Sequence, residues 1–282
     1  MQAREADRKR RARQAFGLGA AALLLAVLAI VSSSREAGAP GWGARDKPAR
    51  SSQLQSASMG DLGRLWQWAE ADFSGGAAGG SWGLRWLVPG LTKEQAERLP
   101  GELAGGDGSL PPLTDESGTE SGILWKAERT DESGHWLLSG LHGGDGESAP
   151  VEAVIRLQSA ELASKAVLEQ AQERVLGALR AVGADDASAL LSIQASGSGL
   201  RGDSAERILA AAEARRLDRY EDDVMILSTY ASGRLDGAVG LAEGGRSERA
   251  NLQLAATKPG KEGGGGTLTI GVPLLTGEAG VP

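Results

Sequence analysis

The stretch "QASGSGLRGDSAERIL" sets Gly197, Gly199 and Gly202 at the spacing G-x-G-x-x-G. Between a strand and a helix, that spacing lets backbone N–H groups cradle a pyrophosphate at a helix N-terminus. Asp218, Glu221 and Asp222 follow near the distance at which a dinucleotide fold places its ribose-binding carboxylate. Three features favour a plain connector instead. The next segments, "DVMILSTYA", "GRLDGAVGLA", "RANLQLAAT" and "GTLTIGVPLL", are short turn-linked strands, which suit antiparallel pairing better than a doubly wound sheet. The matching junction in the first half, "LVPGLTKEQ", lacks the glycines. The segment also lies in a part of the chain read below as exported, where nicotinamide cofactors are scarce. With 42 glycines in 282 residues, a chance match is unsurprising. No nucleotide or other cofactor is expected.

The remaining reactive residues do not assemble a catalytic or metal site. There is no cysteine, which removes disulfides, thiolate metal sites and thiol nucleophiles. His135 and His142 are the only imidazoles. They are too few for a histidine-rich metal site, and they give a Ser-His-Asp triad little support. Glu221-Asp222-Asp223 and Asp185-Asp186 read as solvated turns rather than cation ligands. "RGD" at 201–203 overlaps a helix start, with Asp203 and Glu206 spaced as a capping box. Seven tryptophans all fall in the first half. Trp66, Trp82, Trp86, Trp125 and Trp136 sit in periodic segments and read as core rather than as sugar-stacking platforms.

The N-terminus states an address. Six basic residues within 1–13 precede an apolar run from Ala15 to Val31. A basic flank and apolar core form a signal sequence with the basic end inside. The core is short for a span and long for a cleaved peptide. The retained single-pass anchor is preferred, with the N-terminus cytoplasmic and the remainder extracytoplasmic; secretion after cleavage is the alternative. Residues 1–34 hold six basic and two acidic side chains of the chain's 30 and 37, so the rest, at 24 against 35, carries −11. Such a domain repels nucleic acid and anionic polymers unless its cations share one face. No nucleic-acid partner is expected.

The elements repeat. Residues 35–57 are a Gly/Pro-rich tether, 58–158 a first α+β unit with an insertion at 101–122, and 159–282 a second unit. "MGDLGRLWQWAEADF" is helical, with Leu62, Leu65, Trp66 and Ala69 on one face. "SWGLRWLV" alternates as a strand. Thr92 and Gln95 open a helix with a capping box, and Pro100-Gly101 should end it. "GILWKAERT", "GHWLLSGLH" and "VEAVIRLQ" follow as strands. The second unit starts with a long helix carrying Leu168, Val175, Leu179 and Val182, with Gly183 as its stop. "LLSIQAS", the helix "SAERILAAAEARRL" and the four strands above complete it. Both units run helix, strand, helix, strands. The fold class is α+β: two tandem repeats forming one antiparallel sheet with helices on one face.

From about Ala160 the chain resembles the YwmB family of exported proteins. The resemblance rests on Ser228-Thr229-Tyr230, on Arg249-Ala250-Asn251-Leu252-Gln253-Leu254-Ala255, and on Gly271-Val272-Pro273-Leu274-Leu275-Thr276-Gly277-Glu278. The aromatic often found after the final glutamate is Ala279 here. The resemblance implies a curved, two-repeat sheet similar to TATA-binding protein, with helices on its convex side. It implies no biochemical activity.

Alternation in "RANLQLAA" puts Arg249, Asn251 and Gln253 on one face and Leu252 and Leu254 on the other. With Tyr230 on the neighbouring motif, these form a candidate interaction surface. The leading function is a membrane-tethered extracytoplasmic binding or assembly module of the cell envelope, non-enzymatic, held by residues 15–31 and open to an envelope protein partner. The alternative is an envelope hydrolase acting on glycan or peptidoglycan, which would need paired carboxylates across a cleft. Nucleic-acid binding is the third, by fold analogy only.

Overall fold

Ser58 starts the first helix, α1 (Met59–Asp72), through a reciprocal box. Its hydroxyl accepts from the Asp61 N–H, and the Asp61 carboxylate accepts from the Ser58 N–H. The computed structural model describes residues 55–105, 123–142, 149–160, 164–199, 202–243, 246–258 and 266–275. The apolar run at 15–31, most of the 101–122 insertion and the end of the closing motif from Thr276 lie outside them. Among the described residues no helix is long and apolar enough to cross a membrane. The end of the expected tether is held in the fold: Gln55 bridges to Ala238, and the Ala57 N–H donates to Leu191 C=O at 2.9 Å.

After α1 come β1 (Ser81–Leu91), α2 (Lys93–Leu103), β2 (Ile123–Asp131), β3 (Gly134–His142) and β4 (Val151–Ser159). The second set is α3 (Lys165–Ala181), β5 (Leu190–Ser198), α4 (Ser204–Ala211), β6 (Ala214–Glu221), β7 (Met225–Ser232), β8 (Val239–Glu243), β9 (Arg246–Ala250), β10 (Leu252–Thr257) and β11 (Thr267–Val272). The Thr92–Gln95 box is present. Gly183 closes α3 at φ +74°, its N–H donating to Arg180 C=O while the Ala184 N–H reaches Leu179 C=O. That pair of bonds satisfies two terminal carbonyls and requires the left-handed conformation glycine supplies.

Four local expectations are corrected. Pro100 does not stop α2. It sits in the last turn, where the lost N–H costs one bond, and its carbonyl still accepts from the Ala104 N–H at 3.1 Å. Asp203 does not cap α4 with its side chain; Arg207 takes the carboxylate instead. The helix expected through Leu217 ends at Ala211, because Glu213 turns left-handed at φ +50° and the chain reverses into β6. Trp66 lies only half inside on α1; the buried positions are Leu62, Leu65, Trp68 and Ala69.

Nine strands form one sheet in the order β2-β3-β4-β1-β5-β11-β10-β7-β6, every neighbouring pair antiparallel. β8 and β9 form a separate hairpin. Outward from the central β1–β5 pair, one arm reads β1-β4-β3-β2 and the other β5-β11-β10-β7, with β6 added at the far edge. α2 packs against α3 and β4, α1 against α3, α4 and β5, and α4 against β6. The architecture is α+β, a large antiparallel sheet with four helices.

Strand alternation divides the sheet's side chains into two sets. One set joins the helix residues in a single buried cluster: Trp82, Leu84 and Trp86 on β1, Ile155 and Leu157 on β4, and Ile193 on β5, with Leu62, Leu168, Leu179 and Ile208 from the helices. Trp68, Trp82, Trp86, Trp125 and Trp136 are core, and Trp66 packs against it half-buried. Trp66 stacks on Trp82 at 5.1 Å between centroids, and Trp86 on Trp136 at 6.1 Å. Trp82 and Trp136 also have anchored polar ends, whereas Trp125 Nε1 is buried without a hydrogen-bond partner among the described residues. The Trp82 indole donates to Ala77 C=O at 2.8 Å and that of Trp136 to Asp131 at 3.1 Å.

Candidate interaction surface

Two of the three glycines lie against Phe73. Gly197 lies inside β5, and a Cβ there would meet the Phe73 ring at 2.5 Å. Gly199 bridges to Phe73, while a Cβ on Gly202 would face open space. Strand β5 is flanked by antiparallel β1 and β11, and the chain after α4 runs to the far edge of the sheet. At the start of α4 the Ser204 hydroxyl donates to Asp72 C=O at 3.1 Å, and Arg207 holds the buried Asp72 carboxylate. The glycine stretch thus docks α1 against α4.

The acidic turn is similarly employed. Asp222 accepts from the N–H groups of Val224 and Met225 at 2.8 Å each, and these bonds hold its carboxyl below the usual range. Lys258 at 2.9 Å and Arg219 at 2.6 Å do the same for Glu221. His135 sits 2.6 Å from Glu128 on the neighbouring strand. The His142 side chain lies outside the described residues. Among the described residues no three His, Cys, Asp or Glu side chains converge as metal ligands.

The four residues of the candidate surface separate. "RANLQLAAT" is not one strand but two, β9 and β10, broken at Asn251. Arg249 is exposed on the small hairpin. Asn251 is buried: its amide donates to Ser232 C=O at 2.7 Å and to Leu235 C=O at 3.2 Å, and its oxygen accepts from the Ser232 N–H at 2.6 Å. It clips the hairpin to β7. Tyr230 is buried opposite Leu252, within the core cluster. Gln253 alone lies on the other set of the main sheet, bonded to Thr229 at 3.0 Å and accepting from the Leu275 N–H at 2.9 Å. Arg249 and Asn251 do share an open depression of about 760 Å³ with Gln55, Arg215, Asp236 and Glu248. Two pairs hold charges there: Arg215 with Glu248 at 3.2 Å, and Asp236 with Arg64 at 3.7 Å, Asp236 also accepting from the Ser58 hydroxyl at 2.8 Å.

The strands supply an unmatched group elsewhere. On the set outside the buried cluster, Arg85 of β1 lies directly opposite Arg156 of β4, with Ser192 opposite Arg85 on β5. The row on one side is Val154, Leu87 and Leu190; the row on the other is Gln158, Gly83 and Gln194. All are half-buried except Val154, which is buried. Among the described residues neither arginine has an ion pair. Burial pushes the Arg85 guanidinium below its ordinary value, Arg156 pushes the same way, and Glu152 offsets them. Arg85 Nε and Gln194 Oε1 are buried without a hydrogen-bond partner. Both arginines stand in recognisable strands, but nothing in those strands says which residue faces which.

No protein-family model matches the chain, and no curated protein matches it.

Proposed function

We propose that the chain is a non-enzymatic, membrane-tethered binding or assembly module of the bacterial cell envelope, presenting the Arg85–Arg156 side of its sheet to a partner. One observation carries the proposal: two like charges stand opposed and half-buried on a sheet surface, with no ion pair to either among the described residues. Like charges directly opposite destabilise a sheet, and a partner bound over them would offset that cost. The envelope address rests on the basic flank and apolar run at 1–31, which set the orientation.

Assignment to a YwmB-like, TATA-binding-protein-like fold is part of the same proposal. It is supported by the two sheet arms, which follow the same order about a central pair with helices at corresponding steps. It is supported also by the sequence motifs: the first falls on β7, the second on β9–β10, and the third starts with the last two residues of β11, its end from Thr276 lying outside the described residues. The main-sheet strands among these are neighbours. In this reading the helices form the convex layer and the arginine face is the open one.

Two experiments test it. A reporter fused after Pro282 should be active only when it is an exported enzyme; activity of a cytoplasmic reporter there would end the envelope reading. A photo-crosslinking amino acid at Leu137 or Ser192, on the arginine side, should give discrete adducts in cells. The same group at exposed Glu173 on α3 should give none. Adducts from Glu173 alone would move the binding surface to the helices.

A further inference from the structure

Strand β6 ends the nine-stranded order, and among the described residues it is bonded on one side only, to β7. An edge of this kind presents unpaired N–H and C=O groups to another strand. The exposed large hydrophobic side chains of the described residues also gather here. They are Tyr220 on β6, 56% exposed, and Val224 in the turn that follows, 49% exposed. Arg216 and Asp218 are exposed as well, and neither has an ion pair among the described residues.

The order of side chains says which strand fits. From 215 to 222 the chain reads "RRLDRYED", three arginines and three carboxylates with Leu217 and Tyr220 among them. Counted inward from both ends, every charge meets its opposite: Arg215 with Asp222, Arg216 with Glu221, Asp218 with Arg219. Leu217 meets Tyr220. Opposite charges across an antiparallel pair stabilise it, so this segment complements a second copy of itself.

Matched side chains must also share a face, and the bulge in β6 allows that. Residues five apart point to opposite sides of a regular strand. Here Arg216 lies opposite Tyr230 and Glu221 opposite Ile226, which are four apart on β7. The register slips by one at Leu217, so Arg216 and Glu221 come to the same side. A two-fold axis perpendicular to the sheet keeps each side chain on its own face, and the slip is what makes the match compatible with such an axis.

We infer that β6 pairs with β6 of a second copy of this chain, antiparallel about a two-fold axis at Arg219, joining two nine-stranded sheets edge to edge. Glu221 of each copy meets Arg216 of the other, Asp222 meets Arg215, and Tyr220 packs on Leu217. Each contact is made twice, as in any isologous pair. Arg219 meets its own copy, each guanidinium already held by Glu221 of its own strand at 2.6 Å. A charged edge ordinarily keeps strands apart because it brings like charge to like. This one is neutral in sum and complementary in order, whereas residues 35–282 together carry −11. The pairing does not depend on what binds the arginine side of the sheet.

The test uses the full 282-residue chain in non-ionic detergent, with mass read by sedimentation velocity up to ~100 μM. Wild type should dimerise. Arg216→Glu and Glu221→Arg each set like charges together twice and should each weaken the dimer by roughly tenfold or more. An equimolar mixture of the two variants puts opposite charges back at both positions and should recover the dimer. A urea midpoint near wild type for each variant in dilute solution separates lost pairing from lost folding. The chain has no cysteine, so Arg219→Cys supplies a single thiol on the axis. Opposed residues of an antiparallel pair have Cα atoms roughly 4.5–5.5 Å apart, within disulfide reach, and this variant should oxidise to a covalent dimer. Lys126→Cys, exposed on β2 at the far edge, should not. A monomer over the whole concentration range would overturn the inference. So would a dimer indifferent to both charge variants, a mixture no better than its components, or oxidation of Lys126→Cys in preference to Arg219→Cys.

Discussion

The two arms of the sheet follow one order of strands and are filled by different chemistry. The β1-β4-β3-β2 arm and its helices contain Trp66, Trp68, Trp82, Trp86, Trp125 and Trp136, four of them in stacked pairs. The described residues from 164 onward contain no tryptophan. There the joints are polar: the Asn251 amide on Ser232 and Leu235, Gln253 on Thr229, and Ser196 within 2.9 Å of Thr269. The first arm is stabilised chiefly by burying large rings, whose contribution scales with apolar area. The second depends more on directional bonds, each modest when made and expensive when one partner is left buried alone. An identical course of the chain therefore does not imply an identical source of stability.

Substitutions can break this contrast or sharpen it. Trp86→Ala, in the first arm, should destabilise most, by about 3–5 kcal/mol, the range for an aromatic removed from a close-packed core. A shift in urea midpoint equivalent to under ~1 kcal/mol would mean the rings do not dominate that arm. Asn251→Ala, in the second, should cost about 1–3 kcal/mol by stranding Ser232 and Leu235 groups. Replacing the residue with Asp, which sets a carboxylate oxygen against the Ser232 and Leu235 carbonyls, should cost at least as much as Ala; an Asp variant as stable as wild type would point to packing rather than hydrogen bonding.

Asp131→Asn tests the ionic joint of the first arm. Burial tends to raise the Asp131 pKa. Bonds from Arg174 at 2.6 Å, the Ser133 N–H at 2.8 Å and the Trp136 indole outweigh it, so the carboxyl is held below its ordinary value. A lowered folded-state pKa gives stability that is complete above the unfolded value, near 3.9, and is lost as pH falls through the folded one. Asp131→Asn should therefore cost about 1–2 kcal/mol at pH 7, with the gap to wild type closing below about pH 4. A gap that stays constant from pH 7 to pH 2 would remove the carboxylate from the account. The smallest pair concerns the glycines. Gly197→Ala should cost about 1 kcal/mol through the Phe73 ring, and Gly202→Ala should stay within ~0.5 kcal/mol. The opposite ranking would mean the spacing serves the loop and not the ring.

Where the sequence was readable, one element's own periodicity decided the matter. β1 shows its pleat in "SWGLRWLV", and α3 shows both its face and its glycine stop. Two misreadings have a common cause. β6, "ARRLDRYE", carries charge on both sides and so hides its period of two; its alanines and arginines read equally well as helix. "RANLQLAAT" keeps its alternation across the break at Asn251, so the split into two strands leaves no mark on the pattern. The arginine pair was unreadable for a different reason. Each residue is a plain polar position on its strand, and only the β1–β4 register makes them face each other.

The charges of β6 have a further value as an edge, but the more consequential contact is made by α1. The fully buried Asp61 carboxylate accepts from the Asp236 and Gly237 N–H groups, at 2.9 and 3.0 Å, across separations of 175 and 176 residues. A carboxylate cannot leave water before its donors exist without a penalty of several kcal/mol. As synthesis proceeds from the N-terminus, the first helix of the sheet domain emerges long before the loop that must receive it. Its capped end must wait in solvent until that loop follows. The earliest part of the domain to be made is therefore among the last to be locked, and the two arms mature as one cooperative body.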